Sequence, residues 1–429
     1  MKKRILAGVL ASAAALTAVS FTGCADAGKD TLTILAWSSN TDVNPMIEFF
    51  CEQTGVSKDK IKWATVGEKG ENARDQYGTY LDSSQDADII FCDAEWAKMY
   101  ANNDNYTVGL DTIGITKDQF NGAYPYTMKI GTSDAGVFKG ATWQATPGGF
   151  VYRADYAEQY LGVKSPEEMQ ALVSDWAKFE ETAGKLAEQG VAICATEGGL
   201  WQVKQCEKSS PWVVDGKLVI DDAAKSFFQM AKDYADKKYI TTVTQWSPDW
   251  YPTVTTGKAL GDFAPTWGLT SGTGSIADNF AEQKEGVMGF CEGPANFYWG
   301  GTFMMVTKKC NTPDLAKQWI ETFATNTETM EAYAKKTGDF MNNKSIMDKL
   351  AADDTLKSPI YKNGTHQFKL LVKIAEGIDL SVTEYDGIIK GEFNTAVQGY
   401  AINGTTDSVD AAIQAFKDGV KKKYPAIVE

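Results

Sequence analysis

Three short strand-like stretches, separated by amphipathic ones, constrain this chain more than any other feature. Residues 31–37 (TLTILAW) carry no charge, as a strand covered on both faces of a parallel sheet requires. Asn44-Pro45 then begins a helix as cap and first residue, with Met46, Phe49 and Phe50 on one face and Gly55 ending it. Residues 60–66 predict a second strand, 72–81 a helix, and 87–91 (ADIIF) a third strand. Such β-α-β-α-β alternation predicts a doubly wound α/β sheet. Ligands of these sheets sit beyond the carboxyl ends of the strands. Two ends therefore supply candidates: Trp37, Ser38 and Asn40 after the first strand, and Asp93, Glu95 and Trp96 after the third. Asp93 and Glu95 are equally suited to capping the helix that follows.

At 429 residues the chain exceeds the roughly 250 to 300 that one hydrophobic core serves, so two lobes are expected. The net charge of −14 argues against nucleic acid and anionic membrane as partners, because tracking phosphate needs clustered positive charge. After residue 25 no run of 18 apolar residues occurs, so no membrane span is expected.

Residues 136–155 (GVFKGATWQATPGGFVYRAD) read as a hairpin followed by a glycine-broken strand, with Trp143 and Gln144 heading outward. Pro147-Gly148-Gly149 argues against one uninterrupted central strand and suits a crossover between lobes. A second α/β region follows: a helix over 175–189 with Trp176 in its apolar stripe, a strand at 191–195, and a hairpin over 211–220 turning at Asp215-Gly216. Asp221-Asp222 caps a helix to Lys238. Residues 244–267 then bring Trp246, Trp250 and Tyr251, and a strand at 259–263 ending in Trp267. The stretch 295–308 (ANFYWGGTFMMVTK) sets Phe297, Tyr298 and Trp299 against Gly300-Gly301 and an apolar run. It reads as a strand entered through an aromatic loop that faces a cleft, since Gly-Gly lets backbone or ligand approach closely. Helices dominate the remainder, with long ones expected over 385–402 and 407–423.

The N-terminus has the layout of a targeting segment: Lys2 to Arg4, an apolar stretch over 5–19, then Ser20-Phe21-Thr22-Gly23-Cys24. Its end resembles a bacterial lipoprotein box, which implies lipidation of Cys24 after cleavage. Six further cysteines, at 51, 92, 194, 206, 291 and 310, have no metal spacing; sequence-neighbour disulfides and buried free thiols are both open.

The order of these motifs resembles the family 1 extracellular solute-binding proteins of ABC importers, the group of maltose- and oligosaccharide-binding proteins. The resemblance rests on the lipobox and tether, TLTILAW, ADIIFCDAEW, GATWQATPGGFVYRADYAEQYLG, GKALGDFAPTWG, FYWGGTFMMVTK and KTGDFMNNK. It covers nearly the whole chain. It implies a periplasmic-binding-protein-like type II fold: two α/β lobes with a ligand cleft between them. Residues 1–23 would be the signal peptide and 24–30 the tether. Lobe 1 would comprise 31–145 and a return segment at 301–341; lobe 2 would comprise 146–300 and, with C-terminal helices, 342–429. The family commonly has a proline after Thr-Gly where this chain has Phe340-Met341-Asn342, so no role is assigned to Asp339. The resemblance further implies aromatic platforms at Trp267 and Trp299, a permease as partner, a monomer, and a place on the outer face of the cell membrane, held there only by the lipid at Cys24.

A pyranose ring has an apolar face that suits an indole plane and a hydroxyl rim that suits carboxylates and amides. Among 12 tryptophans, Trp37, Trp96, Trp143, Trp246, Trp250, Trp267 and Trp299 fall in loops or at strand ends. That number exceeds what a monosaccharide needs and favours an oligosaccharide. The candidate ligand set is therefore these seven with Ser38, Asn40, Asp93, Glu95, Gln144 and Tyr298, without catalytic residue, metal or cofactor. Alternatives are a binder of another solute such as a peptide or polyamine, a surface adhesin for polysaccharide, and a glycosidase using Asp93 with Glu95 as its carboxylate pair. The only histidine, His366, has no catalytic motif nearby and reads as a surface or capping residue.

Overall fold

The computed structural model describes residues 30–36, 43–66, 70–270, 275–364, 366–380 and 382–427. The targeting segment, Cys24, and the candidates Trp37, Ser38 and Asn40 lie outside the described residues.

In chain order the strands are β1 (Leu32–Ala36), β2 (Ile61–Thr65), β3 (Ile89–Asp93), β4 (Gly140–Thr142), β5 (Pro147–Arg153), β6 (Ala192–Cys194), β7 (Val213–Val214), β8 (Lys217–Leu218), β9 (Ala259–Pro265), β10 (Met288–Cys291), β11 (Phe297–Tyr298) and β12 (Thr302–Val306). One sheet has the order β2-β1-β3-β12-β4. Its first three strands are parallel, as the alternation predicts, and β12 is antiparallel to both neighbours. The helix Val43–Thr54 buries Met46, Phe49 and Phe50 beside it, and Gly55, at φ +73°, ends that helix. The second sheet has the order β10-β5-β9-β6, with β11 paired to β5. Each sheet is covered by helices and forms one lobe.

The glycine-broken strand expected around Pro147 is corrected: β5 runs unbroken and lies centrally, between β10 and β9. Pro147 is its first residue, where a missing N–H costs little. The two glycines are there because neighbours are close. A Cβ on Gly148 would lie 2.5 Å from the Phe297 ring, and one on Gly149 would lie 2.4 Å from the Cys291 carbonyl.

Three segments cross between the lobes: 143–146, 299–301 and 338–343. They run side by side. Ala145 N–H donates to Phe340 C=O at 3.0 Å, Asn342 N–H to Trp143 C=O at 2.7 Å, and Trp299 N–H to Thr146 C=O at 3.0 Å. Gly300 and Gly301 have φ of +68° and +104°, in territory that only glycine enters cheaply, so the Gly-Gly pair is required by backbone shape. The helix Asp386–Ala401 packs mainly on lobe 2, yet its first turns reach the helix Ala94–Ala101 of lobe 1. The cysteines at 51, 92, 194, 206, 291 and 310 are all free thiols. Among the described residues no helix is long and apolar enough to cross a membrane, and no group of three or more His, Cys, Asp or Glu could hold a metal ion.

Candidate functional site

Lobe 1 presents the carboxyl end of β3 to the cleft. Asp93 caps the next helix, its Oδ1 accepting the Glu95 N–H at 2.8 Å, and it still faces the crossover. A Cβ on Gly300 would lie 3.5 Å from Asp93 Oδ2 and 3.4 Å from Trp267 Nε1, which sets the carboxylate beside the indole of the opposite lobe. Burial and the neighbouring Glu95 carboxylate push the Asp93 carboxyl well above the usual range.

Lobe 2 presents tryptophans. Trp267 follows the carboxyl end of β9 and donates from Nε1 to the Trp299 carbonyl at 3.2 Å. Its ring meets the Trp299 ring at 5.5 Å, edge to face. Trp246 lies nearly parallel to Trp267, with centroids 6.1 Å apart and planes 24° from each other. It is 52% exposed and sits at φ +67°, an outlier for a bulky residue. It thus stands as an exposed indole on strained backbone, packed against the rings of Trp267 and Trp299. Tyr298 lies at the same junction, its ring 5.7 Å from Tyr126.

The cleft between these walls is narrow, a cavity of about 50 Å³ lined by Glu95, Gln202, Trp212, Trp299, Asp386 and Lys390 among others. Lys390 is 8% exposed, contacts the Glu95 carboxylate of lobe 1, and donates to Gln202 Oε1 of lobe 2 at 3.1 Å. Burial, with the Glu95 carboxylate, pushes the Asp386 carboxyl up, while Lys208, lying 3.5 Å over the Trp212 ring, is pushed down to about 8 by burial. A space of this size is too small for a disaccharide, and the Lys390–Glu95 contact joins the two lobes beside it.

The structure brings Asp93, Glu95, Trp246, Trp267, Tyr298 and Trp299 together. It separates others. Trp96 belongs to the lobe 1 core, packed at right angles to Tyr77, and its cleft placement is corrected. Trp250 is corrected likewise: it is fully buried, donating to Asp262 Oδ2 at 2.9 Å, because a short helix, Trp250–Thr255, turns its ring inward. Trp143 and Gln144 lie in a crossover, where their side-chain N–H groups converge on Asp339 Oδ2 at 3.3 and 3.1 Å. Asp339, given no role from sequence, thus ties two crossovers together. Gln202, Asp386 and Lys390 were also missed, since each is an ordinary surface type for a helix. Only their solvent-poor surroundings mark them.

Two α/β lobes, three crossovers running side by side and facing strand ends around an aromatic and acidic cleft define a periplasmic-binding-protein-like fold, built to close on a solute. The chain belongs to the bacterial extracellular solute-binding protein family, whose profile matches residues 50–369. It is a binding family and not an enzyme family, which removes the glycosidase alternative. No curated protein matches the sequence. Among solved structures the chain is similar to a family 1 extracellular solute-binding protein (TM-score 0.74, 18% identity, covering 91% of this chain and 99% of that one). It is also similar to the galacto-N-biose/lacto-N-biose I-binding protein of a Bifidobacterium longum ABC transporter, in complex with lacto-N-biose (TM-score 0.70, 16% identity, 94% and 100% covered). A third is the ABC-transporter-associated binding protein of B. animalis subsp. lactis in complex with β-1,6-galactobiose (TM-score 0.70, 16% identity, 93% and 100% covered).

Proposed function

We propose that this protein captures an oligosaccharide in its interlobe cleft and delivers it to the permease of an ABC importer, as a monomer anchored outside the cell membrane through lipid on Cys24. The observation that carries the reading is the trio Trp246, Trp267 and Trp299 on lobe 2, set beside Asp93 of lobe 1. Indole planes take the C–H faces of successive sugar rings. Asp93, Glu95 and Gln202 take the hydroxyl rim. The bound sugars named for two structurally similar proteins support the same class. Hinge bending at Gly300-Gly301 and at 338–343 admits the ligand, and contacts made only in the closed form favour closure.

Thermal shift of the protein from residue 25 onward, across oligosaccharides, peptides and polyamines, tests the reading. A ligand at a hundred times its dissociation constant adds about 2.7 kcal/mol of stability. One oligosaccharide series should stabilise the protein, and Trp267→Ala or Trp246→Ala should abolish the shift. Silence from every sugar alongside a response to a peptide or amine would overturn it.

A further inference from the structure

The chain that joins the helix Phe368–Glu376 to the helix Asp386–Ala401 begins and ends in lobe 2, yet it is seated on lobe 1. Val382 packs against the lobe 1 core that includes Leu35, Ile90, Trp96 and Phe303, and Leu380 joins it there. Lys129, on the lobe 1 helix Pro125–Gly131, pairs with the Asp379 carboxylate and donates to the Leu380 carbonyl at 3.4 Å. Asn102 Nδ2, also of lobe 1, reaches Glu384 Oε2 at 3.4 Å. The Lys129 and Asp379 side chains are 52% and 88% exposed, so water screens their pair and the apolar contacts of Leu380 and Val382 carry the seat.

The helix that follows comes just as close. A Cβ on Gly387, its second residue, would lie 2.9 Å from the Glu95 carbonyl oxygen and 3.4 Å from Trp96 Cβ, so the helix start is pressed onto the backbone of lobe 1 and glycine is what admits it. One turn on, a Cβ on Gly391 would meet nothing within 4 Å. Between these two glycines Lys390 meets the Glu95 carboxylate. The same stretch walls the cleft: Val382, Thr383, Asp386 and Lys390 line one cavity with Glu95 and Trp299.

A segment whose two ends belong to lobe 2 and whose apolar side chains are buried on lobe 1 has to leave lobe 1 when the lobes part. We propose that the contacts of Asp379, Leu380, Val382, Gly387 and Lys390 form a clasp, which holds the lobes together through the protein's own groups and releases before a solute enters the cleft. The clasp sets a threshold for binding. The open, binding-competent form is populated only as often as the clasp releases, and the apparent affinity falls by that fraction. A solute is retained only where its closed-form contacts outweigh this cost.

Two alanine substitutions in one helix test the clasp. Gly387→Ala inserts a methyl group at the seat without changing charge, and alanine favours a helix over glycine, so the helix itself is not weakened. Gly391→Ala makes the same exchange where the space is open. Small-angle scattering of the full mature chain without ligand should give Gly387→Ala a larger radius of gyration than wild type and Gly391→Ala the wild-type value. Leu380→Ser combined with Val382→Ser, which removes the apolar seat, should expand the protein in the same way, and acrylamide should then quench more of the tryptophan emission as the cleft indoles meet water. A single cooperative melt in each variant shows that folding is kept. Equal radii for wild type, Gly387→Ala and the double serine variant overturn the clasp, and so does an expansion in Gly391→Ala equal to that in Gly387→Ala. No ligand enters the measurement, so its outcome is independent of which solute the cleft takes.

Discussion

Replacing Lys390 by methionine should open the ligand-free protein. The Lys390 side chain is 10% exposed and Glu95 33% exposed, so the pair that joins the helix Asp386–Ala401 to lobe 1 is half-buried. At the effective dielectric of a protein surface two such charges attract by about 4 kcal/mol at 4 Å. Desolvation of both groups offsets much of that, and the water reaching Glu95 screens more, leaving a net coupling of about 1 to 2 kcal/mol. A shift of that size changes the closed-to-open ratio by roughly tenfold. Methionine keeps the apolar stem, so packing changes little. The assay is small-angle scattering of the ligand-free protein, where Lys390→Met should give a larger radius of gyration than wild type. It is joined to a double-mutant cycle with Glu95→Gln read by urea unfolding. A coupling under about 0.3 kcal/mol, within ordinary additivity, together with an unchanged radius, would falsify the idea that this contact holds the lobes together.

Gly301→Ala forces a side chain to φ +104° with its Cβ 3.3 Å from Thr146 Cγ2, and should cost about 1 to 3 kcal/mol, visible in calorimetry as a melting temperature lowered by a few degrees. Asp262 is fully buried and its carboxyl is pushed up to about 6 by burial, against four hydrogen bonds that pull the other way. The folded state therefore holds this proton more tightly than the unfolded chain does. Its contribution is present in full below about pH 4 and declines as pH rises to 6, by about 3 kcal/mol at 1.36 kcal/mol per pH unit. Urea midpoints at pH 4, 5 and 6 should fall more steeply for wild type than for Asp262→Asn, and parallel profiles would refute the assignment. Burial raises the thiol pKa of Cys92 and Cys194, so both should resist iodoacetamide in the native protein at pH 8 and react after denaturation, as followed by mass spectrometry. Rapid native labelling of Cys194 would contradict its placement.

Much of the secondary structure was legible because its causes are local. The Asp215-Gly216 turn, the Asp221 cap and the Gly300-Gly301 pair each act within a few residues, so their spacing alone announces them, whereas Asn44, expected as a cap, lies inside the helix Val43–Thr54 and accepts the Trp63 indole N–H instead. The strand β5 was misread because Pro and Gly carry a local meaning that close packing overrode. Gly148 and Gly149 are small to admit Phe297 and Cys291, not to bend the chain. The tryptophans show the same division. Composition marks an excess of indoles at loop and strand ends, but not which way each ring turns. Trp250 goes inward because Asp262 offers it an acceptor, while Trp246 goes outward on strained backbone.

The sequence by itself thus determined the α/β alternation, the two-lobe scale and the placement of Asp93 at a strand end, all of which follow from periodicity and short-range backbone preference. Only the tertiary structure decided that Lys390 meets Glu95 across 295 positions of chain, that Asp339 gathers Trp143 and Gln144, and that Trp250 turns inward onto Asp262. Those contacts are made by common polar residues on ordinary helices and loops. What distinguishes them is the loss of water around them, and water is excluded only once the distant parts of the chain have packed together.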